Sequence, residues 1–430
     1  MLPYSLFMPS STLSASERAF SLYEALPYPN VPLSQTARNA LPEMFKMSYT
    51  TAQYVRTHAV IEPEGKVLLN AGCGSGWETL MMAEANPGAK IVAFDLSPAS
   101  VKLTEERLRY HGFTNTEFYV LNLLELDRLG IQFDFMSLND VLYLLEDPTE
   151  GLRAMKRVLK PEGIIRANLH HRYQRQVFFR MQAAFQKIGQ FDVAPATGAK
   201  HVREFMGSLQ EEVAKAVLWD PLTYKEDAAI LNNYLLSNDK GFTIPDLFRM
   251  LQEAGLGFLS LVDMPDWSVE SLFREVPEFV RRKLEAMSPM ERLHLYELLR
   301  PAHRLIDFWV DHAGSSLVFP WSDEDWLEGS VQFNPILLDN SRFHQEYNQA
   351  LKDNRPYEMQ WTGATHGRLS IPPDKLKWLA PLLQGQTPVK VLIQAATEMG
   401  SLDEEKATDE VLTYLSALED FLFVLLQPSF

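Results

Sequence analysis

The run Val67-Leu68-Leu69-Asn70-Ala71-Gly72-Cys73-Gly74-Ser75-Gly76 sets three glycines at alternate positions after an apolar segment. Glycines tolerate positive φ and carry no side chain, so a ligand can approach the backbone closely. A helix-forming stretch, Trp77 to Ala85, follows and would aim its free N–H groups at whatever is bound. Further on, Ala89-Lys90-Ile91-Val92-Ala93-Phe94-Asp95 is a second apolar run that ends in a carboxylate. In a doubly wound fold that carboxylate holds the ribose hydroxyls of a nucleoside. The dinucleotide pattern G-x-G-x-x-G would need glycine where Trp77 stands, which argues against NAD or FAD. Cys73 is the single cysteine. No histidine flanks it, so a small residue packed beside the ligand is expected in preference to a nucleophile.

The elements that must position these residues alternate as strand and helix. Strand 66–71 precedes helix 77–85. Strand 90–95 precedes a helix that starts at Pro98, with Ser97 as its N-cap. Strands 116–121 and 133–138, helix 149–159, strand 163–169 and helix 172–188 follow. This order predicts a parallel sheet. Ligands of open α/β sheets bind at the carboxyl ends of the strands near the switch point. That places Gly72, Gly74, Asp95, Asn122 and Asn139 around one pocket. Asn139, Asp140 and Tyr143 after the fourth strand, and His170 and His171 after the fifth, would face an acceptor. Adjacent histidines on a strand point opposite ways, so no metal is assigned.

The stretch Val67 to Gly76 with Asp95 resembles motif I and the ribose carboxylate of class I S-adenosylmethionine (SAM) methyltransferases. The resemblance continues through Phe133-Asp134-Phe135, Asn139 to Tyr143, and Leu159-Lys160-Pro161-Glu162-Gly163, and covers roughly residues 45–190. It implies SAM as cofactor, held by Asn70, Gly72, Cys73, Gly74, Gly76, Asp95, Leu96, Asn122, Leu123 and Asn139. It implies Asn139, Asp140, Tyr143 and His170 as catalytic candidates. Asn70 and Asn122 depart from the family pattern, which favours carboxylates there; an amide oxygen accepts more weakly. Further stretches, Asn168 to Arg175, Asp239 to Pro245 and His303 to Trp309, resemble bacterial and cyanobacterial protein methyltransferases with a regulatory C-terminal domain. That group implies a protein acceptor, either lysine or, as the sharpest expectation, an asparagine of a phycobiliprotein β subunit. A small-molecule methyltransferase and a non-catalytic SAM-binding protein are the alternatives.

The expected organisation is an N-terminal arm or lid over 1–45, a SAM-binding α/β Rossmann-like domain over 46–264 with a helical insertion at 190–260, a helical connector over 265–319 and a smaller α+β domain over 320–430. In the connector, Leu295, Leu298, Leu299, Ala302, Leu305, Ile306 and Trp309 fall at helical spacing, with a break at Pro301. The region after 265 is expected to serve the acceptor and not SAM. The chain of 430 residues carries a net charge of −16. A negative surface repels phosphate, so no nucleic-acid partner is expected. No apolar stretch nears the ~20 residues that span a bilayer, and the N-terminus lacks a signal-peptide pattern. A cytoplasmic location is expected, with no membrane partner.

Overall fold

The computed structural model describes residues 29–314, 321–360, 368–400 and 403–427. Tyr28, Trp361 and the arm before residue 29 lie outside the described residues. The apolar runs form strands β1 (Val67–Ala71), β2 (Lys90–Asp95), β3 (Thr116–Val120), β4 (Phe133–Leu138) and β5 (Leu159–His170). Two later strands, β6 (Leu256–Leu261) and β7 (Leu305–His312), complete the sheet. Its order is β3-β2-β1-β4-β5-β7-β6. The first five strands run parallel, and β7 and β6 add an antiparallel edge. β1 and β4 are neighbours, so the chain reverses its direction of sheet growth between them, and a crevice opens at their carboxyl ends.

The helices start where the local chemistry dictates. The Ser97 side chain accepts from the Ser100 N–H and caps Pro98–Tyr110. Thr243 and Asp246 form a capping box on Ile244–Ala254, which Gly255 closes at φ +68°. That helix hands the chain to β6 at the sheet edge. The insertion is helical through Pro195–Gly207, Glu211–Ala216 and Asp227–Tyr234. It packs its own core, with Tyr234 and Ile230, against Phe185 of helix Gln176–Lys187.

One expectation is corrected. Residues 305–312 are a strand, not part of a helical connector, and they sit between β5 and β6. The helix before them stops at Leu299. Ile306 to Val310 are all buried, because a central strand is covered on both faces. A run of this kind, apolar but for Asp307, fits a helical stripe as well as a buried strand. The sheet therefore extends past residue 264.

After the sheet come helices Ser341–Asp353, Pro373–Leu379, Val389–Gly400 and Glu404–Asp420. They accompany β8 (Ser330–Phe333), the hairpin β9 (Tyr357–Gln360) and β10 (Arg368–Ile371), β11 (Thr387–Pro388) and β12 (Val424–Gln427). β8 pairs antiparallel with both β11 and β12. This α+β unit shares one apolar core with helices Leu41–Met47 and Tyr49–Thr57 and one face of the large sheet. Tyr54 joins them: its hydroxyl accepts from the Leu426 N–H at 2.8 Å and donates to Glu419 at 3.1 Å.

Candidate active site

The glycine turn after β1 holds Gly72, Gly74 and Gly76 at φ +75°, +51° and +79°. A Cβ at Gly72 would lie 2.5 Å from the Val141 side chain, and one at Gly76 would lie 2.7 Å from the Thr104 backbone. Only glycine allows both the turn and these close approaches. The Gly72 and Cys73 N–H groups donate to the Phe94 carbonyl, tying the turn to the end of β2. Asp95 then grips the turn: its carboxylate accepts from the Gly74 N–H and the Ser97 N–H, both at 2.9 Å. It is only half-buried, and Leu96 beside it is exposed.

Asn70 is fully buried beneath the turn. Its Oδ1 accepts from the Thr79 hydroxyl at 2.7 Å, while its Nδ2 has no partner among the described residues. An orphaned buried donor under a glycine cradle suits a ligand that brings an acceptor. Cys73 packs with Ala93 and Val101, and Thr104 donates to its sulfur at 3.2 Å. Burial pushes its thiol up to about 12, with the nearby Asp95 charge adding to this, so Cys73 is no nucleophile at neutral pH. Asn122, after β3, spends its Oδ1 on the Leu124 N–H and caps a short 3-10 turn that begins at Leu123.

Across the switch point, Asn139 is the hub of a polar array. Its Nδ2 donates to Glu78, and its Oδ1 accepts from Arg166 and Asn168. Arg166, almost fully buried on β5, forks onto Asp307 of β7 at 2.9 and 2.6 Å. The Asn168 oxygen accepts from the Asp140 N–H. Asp140 stands at φ +52°, a strained position for a residue with a side chain. Its carboxylate accepts from Tyr143 at 3.1 Å and from Arg304 at 3.5 Å. Burial would raise Asp140, but the Arg304 guanidinium and the Tyr143 hydrogen bond hold it below the usual carboxylate range.

His170 stacks on Tyr143, with ring centroids 3.7 Å apart. Its Nδ1 meets Asp239 at 2.6 Å and its Nε2 faces the Arg304 guanidinium at 3.2 Å. Arg304 can only donate, so Nε2 accepts and the Nδ1 proton goes to Asp239. Burial lowers the imidazole below its ordinary value despite the pull of Asp239. A neutral ring fits both contacts. Its neighbour His171 turns the other way, to Glu297 at 2.8 Å. The structure thus brings Asn139, Asp140, Tyr143 and His170 into one network and leaves His171 in a separate buried cluster. Among the described residues no group of three His, Cys, Asp or Glu could hold a metal.

Sequence reasoning missed Glu78, Arg166, Asp239, Arg304 and Asp307. Glu78 lies in the first turn of the helix that follows the glycines, and Asp239, Arg304 and Asp307 fall inside the stretches that carry the protein-methyltransferase resemblance, without a role read for them there. Burial pushes the Glu78 carboxyl up to about 7, Arg166 and Lys46 pulling down and Asp140 and Asp307 pushing up. Asp263, after β6, is likewise raised by burial, to about 6. The region beyond 265 therefore supplies Arg304 and Asp307 to this network.

Residues 62–215 match a family model described as a methyltransferase domain. An uncharacterized protein of Synechococcus sp. is 26% identical over 73% of this chain and 76% of its own. The tRNA U34 carboxymethyltransferase of Campylobacter jejuni is 27% identical over 42% of this chain, which spans 63% of that enzyme's length. Among solved structures, PKMT2 from Rickettsia typhi in complex with AdoHcy has the same fold: TM-score 0.63 at 14% identity, covering 94% of this chain and 78% of that one. With the seven-stranded sheet, its glycine turn and the Asp95 grip, residues 62–215 form a class I SAM-dependent methyltransferase domain.

Proposed function

We propose that this chain methylates a nitrogen on a protein side chain, lysine first and asparagine of a phycobiliprotein β subunit second. One observation carries the reading: Glu78, whose one oxygen takes the Asn139 amide, stands at the switch point with its carboxyl near neutrality. SAM supplies an activated sulfonium methyl, so the chain's residues need only position the acceptor, exclude water and manage one proton. An ammonium must lose a proton before its nitrogen has a lone pair to give. Glu78 accepts that proton at its carboxylate. Asp140, Asp263 and Asp307 stand around it, answered by Arg304, Arg166 and Lys46. Tyr143 and the neutral His170 form a flat wall beside Asp140.

For the cofactor, Gly72, Cys73, Gly74 and Gly76 offer backbone, Asp95 takes the ribose hydroxyls, and Leu96, Asn122 and Leu123 border the adenine. Asn70 and Asn139 serve the amino-acid end, where the orphaned Asn70 amide meets a carboxylate. The extent of the PKMT2 likeness, a protein methyltransferase matched beyond its SAM-binding sheet, supports a protein acceptor. The Campylobacter relative names a tRNA, but a net charge of −16 disfavours a polyanion. No helix among the described residues is long and apolar enough to cross a membrane. A cytoplasmic setting is part of the proposal.

The test is incubation with radiolabelled SAM and a cyanobacterial lysate, followed by separation of protein, RNA and small-molecule fractions. Label should enter protein and survive acid hydrolysis on a methylated lysine, or on asparagine before hydrolysis. Asp95→Ala should cut SAM affinity about tenfold or more, the loss of a charge-assisted hydrogen bond of ~1.5–3 kcal/mol. Label confined to RNA or to small molecules would overturn the protein acceptor while leaving the methyltransferase intact.

A further inference from the structure

Between the C-terminal unit and the large sheet lies a cavity of about 190 Å³. Phe45, Tyr54 and His58 of the N-terminal helices line one side and Trp309 of β7 another. Glu419 and Asp420 close it from the last turn of helix Glu404–Asp420. Trp309 stands two residues beyond Asp307, so both face the same side of the sheet. Glu78, Asn139, Asp140, Tyr143 and His170 do not line the cavity.

Glu419 accepts from the Tyr54 hydroxyl, with the Trp321 indole also pulling it down, Asp420 stands exposed beside it, and no cation is among the groups that shift either carboxylate. Burial pushes Glu419 up to about 7 and raises Asp420 as well. Burial also lowers His58, which leaves that ring neutral. The negative end of a 17-residue helix dipole falls at the same place. Two lining nitrogens, Nε1 of the fully buried Trp309 and Nδ1 of His58, have no partner among the described residues.

The walls are aromatic. Phe45 packs on Trp309 at 5.9 Å, and His58 lies between Tyr54 at 5.5 Å and Trp321 at 4.6 Å. His58 and Leu422, both lining residues, hold φ of +52° and +55°. Left-handed backbone at non-glycine residues costs about 1–3 kcal/mol each and gathers where a ligand is clamped. A hard inorganic cation would need six or more oxygens, which ring faces cannot give. Ring faces do attract organic cations.

We propose that this cavity binds an alkylammonium group, with its charge against Glu419 and Asp420 and its carbon atoms against Trp309, Phe45 and Tyr54. The group comes either from a lysine side chain of a partner protein or from a free amine. Its occupant bridges the C-terminal unit and the sheet, next to the strand that carries Asp307.

The full chain, saturated with S-adenosylhomocysteine, is titrated calorimetrically with choline and with 3,3-dimethyl-1-butanol. The two differ in charge and hardly in shape. Choline should bind about tenfold or more tighter than the alcohol. Asp420→Asn with Glu419→Gln should remove that preference and leave S-adenosylhomocysteine affinity unchanged. A lysine-containing peptide that outcompetes choline identifies the protein source, and choline that outcompetes the peptide identifies a free amine; both support the site. Equal binding of choline and the neutral alcohol to the unaltered protein would overturn it, whatever the variants do. So would choline binding that vanishes when S-adenosylhomocysteine is added.

Discussion

Glu78 lies in the first turn of a helix, where the dipole favours the ionised carboxylate. Burial and the Asp140 and Asp307 charges win, and its carboxyl moves up to about 7. Between pH ~4 and ~7 the folded chain thus holds a proton at Glu78 that the unfolded chain has released. Its contribution to stability falls as pH rises through that window. Activity runs the other way, since only the carboxylate can take a proton. The methyl-transfer rate should climb through about pH 7. Glu78→Gln should lower kcat about a hundredfold and flatten that rise, with KM for SAM unchanged. A pH series of initial rates for both proteins checks this. An unchanged kcat with a raised KM would make Glu78 a cofactor ligand instead. At this scale the sequence was legible where function is local. Gly72, Gly74, Gly76 and Asp95 declare themselves because the turn geometry needs those residue types at those positions. Arg166, Asp239 and Arg304 are ordinary charged residues until the fold brings partners from far along the chain.

Strand β7 converts a nucleoside-binding sheet into this site. It pairs with β5 so that Asn168 faces Asp307 and Arg166 faces Trp309. The Arg166–Asp307 fork is nearly dry, and removing one partner strands a buried charge. Such losses cost ~3–5 kcal/mol in general. Lys46 stands 4.0 Å from Asp307 and would answer part of that charge, so Arg166→Met should sit at the lower end. Urea denaturation should show the drop. Arg166→Met with Asp307→Leu should recover much of it, because a packed apolar pair replaces two desolvated ions. A double variant no more stable than the single would mean that the pair contributes net attraction. The strands before residue 170 were readable, since each is an apolar run bounded by glycine, proline or a capping residue. β7 was not: apart from Asp307 its run of Leu305 to Val310 is apolar on both faces, so the two-residue alternation that marks a half-exposed strand is missing.

The methyltransferase sheet and the C-terminal unit are held together by helices Leu41–Met47 and Tyr49–Thr57. On one side Asn86, which ends the helix after the glycine turn, bonds the Tyr49 N–H and the Met47 carbonyl. On the other, the Asn334 amide donates to Thr51 at 3.0 Å and to the Leu422 carbonyl. Asn340 reaches the Arg38 carbonyl, and Tyr54 reaches Glu419 and Leu426. Phe45, Thr51 and Tyr54 have almost no exposed surface. Covering each large apolar side chain is worth ~1.5–3 kcal/mol, and the hydrogen bonds would be left to water. A chain cut after residue 312 keeps every strand of the large sheet but loses this cover. Residues 49–57 should then exchange their amide hydrogens much faster than in the full chain. Because Asn86 links those helices to the glycine turn, SAM affinity should fall too. Hydrogen exchange with and without SAM, beside calorimetry on both chains, measures the two effects. Unchanged exchange at 49–57 would show that the helices stand without their cover. Fast exchange with intact SAM affinity would show that the link through Asn86 carries nothing, and the C-terminal unit would then act on the acceptor alone.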